Sequence, residues 1–154
     1  MAEIRRLSPD DWETLRDVRL RSLADAPGAF LSTLEREQTF EDAEWQRRAA
    51  NGASFVASQD GRPVGIAIGL VDTDDPARCH LVGMWVEPAA RGTGTAAALV
   101  DTVREWAAGT DGASVLVLGV MDGNEVARRL YVRLGFTPTG RRDGNHEWLR
   151  LPLS

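Results

Sequence analysis

The chain has 154 residues, 27% of them charged, with a formal net charge of −5, which fits one globular domain large enough to bury a core. The acidic balance excludes a general nucleic-acid binder, which would carry a basic field. A lone cysteine, Cys79, excludes an internal disulfide.

All 18 basic residues are arginine, which we read as a coding bias. Neither a membrane-spanning apolar run nor the apolar core of a signal peptide is visible, so no membrane partner is expected and a cytoplasmic location follows. No repeat or long linker divides the chain, so residues 1–154 read as a single domain.

Residues 2–7 open as a short strand carrying Ile4 and Leu7. Ser8-Pro9-Asp10 is a helix-start signal, and Trp12, Leu15, Val18, Leu20 and Leu23 give an amphipathic helix to about Ala24. Asp25-Ala26-Pro27-Gly28 ends it. Residues 29–39 show no clean period and read as a loop or loose helical turn near the surface. Thr39 is placed to cap a second helix bearing Asp42, Trp45 and Ala49, which Asn51-Gly52 stops.

Strands follow. Ser54 to Ser58 is one, Asp60-Gly61 is a hairpin turn, and residues 63–71 return, with glycines that suggest a bulge or close packing. Residues 72–78 form a polar loop. Cys79 to Val86 is nearly continuous in apolar residues and reads as a central strand. A helix over about 93–108 buries a stripe of Leu99, Val100, Val103, Trp106 and Ala107. Residues 114–120 are a buried strand. A last helix carries Val126, Ala127, Leu130, Tyr131 and Leu134 on its apolar face and ends at Gly135. Residues 136–140 and 146–152 read as closing strands around a turn from Arg141 to Asn145, with His146 a turn residue. The order β-α-α-β-β-β-α-β-α-β-β, mostly hairpin-linked, predicts an α+β fold.

The stretch from Met84 to Val100 joins a strand to a helix through Arg91-Gly92-Thr93-Gly94-Thr95-Ala96. Glycines admit a ligand close to the backbone, and a helix start offers unpaired N–H groups, so this is a candidate phosphate site. A Walker loop is excluded because there is no lysine. A Rossmann fingerprint lacks its carboxylate, since residues 113–120 hold none.

The same residues resemble the Arg/Gln-x-x-Gly-x-Gly/Ala signature of the GCN5-related N-acetyltransferases, the GNAT superfamily. Asn124-x-x-Ala127-x-x-x-Tyr131-x-x-x-Gly135-Phe136 is similar to the family's pattern on the helix after the fifth strand. The element order matches over about residues 2–152. The resemblance implies a mixed, mostly antiparallel sheet of six to seven strands, splayed between strands 4 and 5 and flanked by about four helices.

It further implies acetyl-CoA as cosubstrate. The backbone of Met84, Trp85 and Val86 would bind the pantetheine arm. Arg91, Gly92, Thr93, Gly94, Thr95, Ala96 and Ala97 would cradle the pyrophosphate, with Arg91 facing phosphate. Asn124 would contact pantetheine, and Tyr131 would protonate the leaving thiolate. Arg128, Arg129 and Arg133 are either CoA-phosphate partners or a solvated face.

For a base, His80 opens the fourth strand, with ordered water or a glutamate as the alternatives. Glu35 and Glu37 are expected on the acceptor side, whereas Glu87 should point away. Cys79, His80 and His146 are too sparse for a metal site, so none is expected.

The implied activity is N-acetyl transfer from acetyl-CoA to a primary amine of a small molecule or peptide, by direct attack in a ternary complex. The alternative is an acyl-CoA-binding or sensing module without transferase activity. The acidic balance is compatible with cationic acceptors. A homodimer is compatible with the family.

Overall fold

A computed structural model describes residues 2–153. Its elements are β1 (Glu3–Arg6), α1 (Trp12–Asp25), α2 (Leu34–Glu37), α3 (Asp42–Ala50), β2 (Ala53–Gln59), β3 (Arg62–Val71), β4 (Arg78–Val86), α4 (Thr95–Ala108), β5 (Val115–Met121), α5 (Glu125–Arg133), β6 (Thr137–Asp143) and β7 (His146–Pro152). The strands form one sheet in the order β1-β2-β3-β4-β5-β7-β6. All neighbours are antiparallel except β4 and β5. β4 lies at the centre, as its continuous apolar run requires.

Local chemistry sets the register. Asp60 and Gly61 both adopt left-handed φ, 53° and 78°, and close the β2–β3 hairpin where Gln59 faces Arg62. One face of the sheet packs on α4, whose Leu99, Val100, Val103 and Ala107 join Ala67, Cys79, Leu81, Phe136 and Leu149. The other face packs on α1 and α3, through Leu15, Val18, Trp45 and Ala49 against Val56, Ile66 and Trp85. Gly69 is glycine because α4 presses on it: a Cβ there would stand 2.4 Å from the Trp106 ring. Each of these large buried side chains contributes about 1.5–3 kcal/mol.

Within the loop or loose helical turn expected over 29–39, residues 34–37 are helical, because the Thr33 side chain accepts from the Arg36 N–H and caps the turn. Several other local expectations need correction. Thr39 does not cap α3; its hydroxyl donates to the Arg36 carbonyl, and the N-cap position is Glu41. Arg141 and Arg142 lie in β6, which runs to Asp143, so the turn is only Gly144 and Asn145. His146 starts β7, paired with Met121 and Asp143, and is buried. Val126 is 79% exposed and lies off the apolar face of α5.

Candidate active site

Pairing between β4 and β5 stops early. Only Arg78–Val115, Cys79–Leu116 and His80–Val117 are in register, although the strands continue to Val86 and Met121. On its other edge β4 remains paired to β3 as far as Gly65–Val86. One backbone edge of residues 81–86 therefore faces a gap.

The cause is a bulge. Ile68 faces Val82 and Ile66 faces Trp85, so Gly83 and Met84 oppose Ala67 alone. Gly83 takes φ 64°, a left-handed value that glycine adopts without penalty, and a bulge there bends the strand. Cys79 and Leu81 upstream still reach the α4 core, while Trp85 downstream reaches the α1/α3 core. Cys79 is buried, and burial raises its thiol pKa, which opposes any role as a thiolate nucleophile.

Residues 87–94 carry the chain from β4 into α4. Gly92 and Gly94 sit at φ 77° and 85°, and a Cβ on either would point into open space. Among the described residues, the N–H groups of Gly92, Thr93, Gly94, Thr95, Ala96 and Ala97 find no acceptor in the chain. Ala98 is the first to close the helix, onto the Gly94 carbonyl at 3.0 Å. Thr93 Oγ1 donates to the Ala90 carbonyl at 2.5 Å and lies 2.8 Å from Thr95 Oγ1, which ties the loop to itself. The result is a concave run of N–H groups at the positive end of a helix, which suits an anion.

Arg91 stands at the rim of this loop. Its N–H bonds the Pro88 carbonyl, Nε donates to the Val86 carbonyl at 2.9 Å, and Nη2 meets Asp25 at 2.9 Å. Asp25 also accepts from the Trp85 indole at 2.9 Å. Arg91 thus links the end of β4 to the end of α1, with its guanidinium directed to these partners. Glu87 is turned away, between Arg21 and Arg62, at 2.6 Å from each.

On α5, the Asn124 side chain accepts from the Ala127 N–H at 3.4 Å and caps the helix, leaving its amide NH₂ to donate elsewhere. Tyr131 is buried in the α4-side core, edge-on to Phe136 at 5.8 Å. Burial pushes its hydroxyl pKa well up, so the phenol stays protonated. Arg128 pairs with Glu147 at 2.6 Å.

His80 occupies the last paired position before the gap. Its Nε2 lies 2.7 Å from Asp72 Oδ2. The imidazole bond and the N–H groups of Asp74 and Asp75 hold the Asp72 carboxyl down to about 2. An ionised carboxylate only accepts, so Nε2 carries a hydrogen, and in the neutral imidazole Nδ1 is the accepting nitrogen. The Trp148 ring stands edge-on to His80 at 5.9 Å and to His146 at 5.4 Å, and its indole donates to Asp143 at 2.7 Å. His146 covers Gly119, where a Cβ would stand 2.9 Å from the imidazole.

The two expected glutamates separate. Glu35 is exposed. Glu37 is wholly buried between Arg19, at 2.9 Å, and Arg48, at 3.0 Å. Burial alone would raise its carboxyl, but the Arg19 hydrogen bond and the charges of Arg19 and Arg48 bring it below the ordinary value.

Sequence reasoning passed over Asp72, Gly83 and Arg19. Glycine inside the apolar run of β4 was the available signal for the bulge. Nothing local marks Asp72 among the carboxylates of its loop. Among the described residues, no group of three or more His, Cys, Asp or Glu is arranged to hold a metal, and no helix is long and apolar enough to cross a membrane.

Comparison with known proteins follows the same geometry. An uncharacterised N-acetyltransferase of Mycobacterium tuberculosis is 40% identical over 90 residues, covering 58% of this chain and 56% of the relative. The chain spans about half the length of the curated relatives it matches. A GNAT-family acetyltransferase of Streptococcus pneumoniae superposes with TM-score 0.84 at 17% identity over 100% of both chains. YncA of Salmonella typhimurium, solved with acetyl-CoA, superposes with TM-score 0.79 at 19% identity over 100% of this chain and 95% of that one. Both superpositions cover the whole of this chain, including its seven-stranded sheet and the single parallel pairing within it. The model of the Acetyltransferase (GNAT) family matches residues 12–136, the stretch that carries the bulged strand, the glycine turn and α5, and the chain belongs to that family.

Proposed function

We propose that the protein is an acetyl-CoA-dependent N-acetyltransferase, acting on a primary amine of a small molecule or peptide by direct attack in a ternary complex. One observation carries this reading. The unpaired edge of β4 leads through residues 87–91 to the unpaired N–H groups of Gly92 to Ala97. A strand edge matches the amides of a pantetheine arm, and a concave N–H run matches a pyrophosphate. The acetyl-CoA in the YncA structure supports it.

In this reading the backbone of Met84, Trp85 and Val86 holds the arm, and residues 92–97 hold the pyrophosphate. Arg91 fixes the loop against Val86 and Asp25. Asn124 offers its free amide NH₂ to the arm. Acetyl-CoA supplies an electrophilic thioester carbonyl and a thiolate leaving group.

The chain's own residues then move protons. As the N–C bond forms and the C–S bond breaks, His80 Nδ1 takes the proton from the amine. The Tyr131 hydroxyl gives its proton to sulfur. Asp72 keeps the imidazole in the tautomer that can accept. Release of free thiol from acetyl-CoA, followed with a panel of amines, tests the reading. A melting midpoint unmoved by acetyl-CoA together with no thiol release over the panel would sink it.

A further inference from the structure

A cavity of about 230 Å³ opens on the α1/α3 face of the sheet, against the β4 bulge. Leu15, Ile68 and Val82 form its apolar floor, and Arg19, Arg47 and Arg48 its polar wall. Among the described residues, no carboxylate lines it. Glu37 and Glu44 stand behind the arginines and hold them in place. Arg19 meets Glu37 through Nε and Nη2, both at 2.9 Å. Arg48 meets Glu37 through Nη1 and Glu44 through Nε. Arg47 meets Glu44 through Nε and Nη2. Each guanidinium keeps one terminal nitrogen uncommitted.

Arg19 is the best placed. It stacks on Phe30 at 4.8 Å, and its free Nη1 lies 3.7 Å from where a Cβ on Gly83 would stand, directly over the bulge. A guanidinium fixed by two hydrogen bonds to a buried carboxylate loses little freedom when it binds a second anion. Leu70, another wall residue, is the register partner of His80, so the cavity runs along β4 toward the imidazole.

From this wall we infer that the acceptor is a small amine carrying a carboxylate and an apolar side chain, its anion held by Arg19 beside Gly83 and its amine facing His80. The inference rests on the transferase reading and narrows it. It runs against the whole-chain charge of −5, which alone would favour cationic acceptors. Local charge decides, because a ligand in the cavity meets three arginines before it meets any carboxylate. A polycation would leave those arginines desolvated and repelled.

The test uses matched pairs. L-leucine, L-methionine and L-phenylalanine are each compared with the corresponding carboxamide, both for binding to the CoA-saturated protein by calorimetry and for thiol release with acetyl-CoA. At least one acid should bind and turn over tenfold or more better than its amide. Arg19→Gln should reduce that ratio at least fivefold, chiefly through KM, and Arg47→Gln, which leaves Glu37 paired, should reduce it in the same direction. If Arg19→Gln fails to fold, the wild-type ratio and Arg47→Gln decide. Acids bound selectively without thiol release would support the carboxylate site and end the transferase reading. Equal use of acid and amide, a preference for spermidine, or no binding of any acid would overturn the inference, whatever amines are acetylated.

Discussion

His80 Nε2 and Asp72 Oδ2 are 2.7 Å apart, joining the start of the gap in the sheet to the loop between β3 and β4. The Asp72 backbone is itself fixed by donation from its N–H to the Arg78 carbonyl at 2.9 Å. The imidazole is therefore oriented by a partner that is itself held. His80→Gln should lower kcat by about 100-fold or more, the usual loss for a missing general base. Asp72→Asn should lower it by about tenfold, since the base remains but loses its orientation. Neither should change the melting shift given by acetyl-CoA.

Tyr131→Phe separates chemistry from packing. The ring and its contact with Phe136 survive, so stability should change by about 1 kcal/mol or less. Thiol release should fall by about 100-fold if the hydroxyl is the proton donor. Tyr131→Ala should instead unfold the core by about 3–5 kcal/mol. Chemical denaturation and thiol release on the same samples tell the two apart.

Gly92→Ala and Gly94→Ala place a methyl where the chain leaves open space and φ is 77° or 85°. The left-handed backbone costs about 1–2 kcal/mol. The methyl also intrudes on any anion held by the loop. Both variants should fold, melt a few degrees lower and bind CoA at least tenfold more weakly by calorimetry. Unchanged affinity would remove the loop from the donor site.

Glu37 controls acid stability. Its folded carboxyl titrates below the ordinary 4.5, so its contribution is complete above that pH and is lost as pH falls through the lower folded value. The wild-type denaturation midpoint should fall as the pH drops below the ordinary carboxylate value of 4.5. Glu37→Gln should be less stable at pH 7 by about 3 kcal/mol, because Arg19 and Arg48 lose a buried counter-charge, and its acid dependence should be flatter.

The fold was legible wherever hydrophobic period and turn chemistry agreed. β4 reads as central because it is apolar on both faces, and Asp60-Gly61 names its own turn. The glycine turn was legible for the same reason: Gly92 and Gly94 act through local backbone geometry. What stayed hidden depends on distant partners. Thr39 looked like a cap, but the Arg36 carbonyl competed for its hydroxyl. His146 looked like a turn residue, but Gly119 leaves its ring a place to pack. Asp72 and Arg19 acquire meaning only when β4 brings His80 and Gly83 beside them.

The early end of the β4–β5 pairing gives a central strand the open backbone of an outer one. Exposed strand edges are templates for pairing with other chains, and proteins normally blunt them with charge or proline. Here residues 81–86, Leu-Val-Gly-Met-Trp-Val, carry neither. On the proposed reading, a ligand lying along this edge would do the work of the missing strand and so would shield it from other chains as well as take part in reaction. Without that ligand, the same opening is the place where concentrated protein would begin to stick to itself.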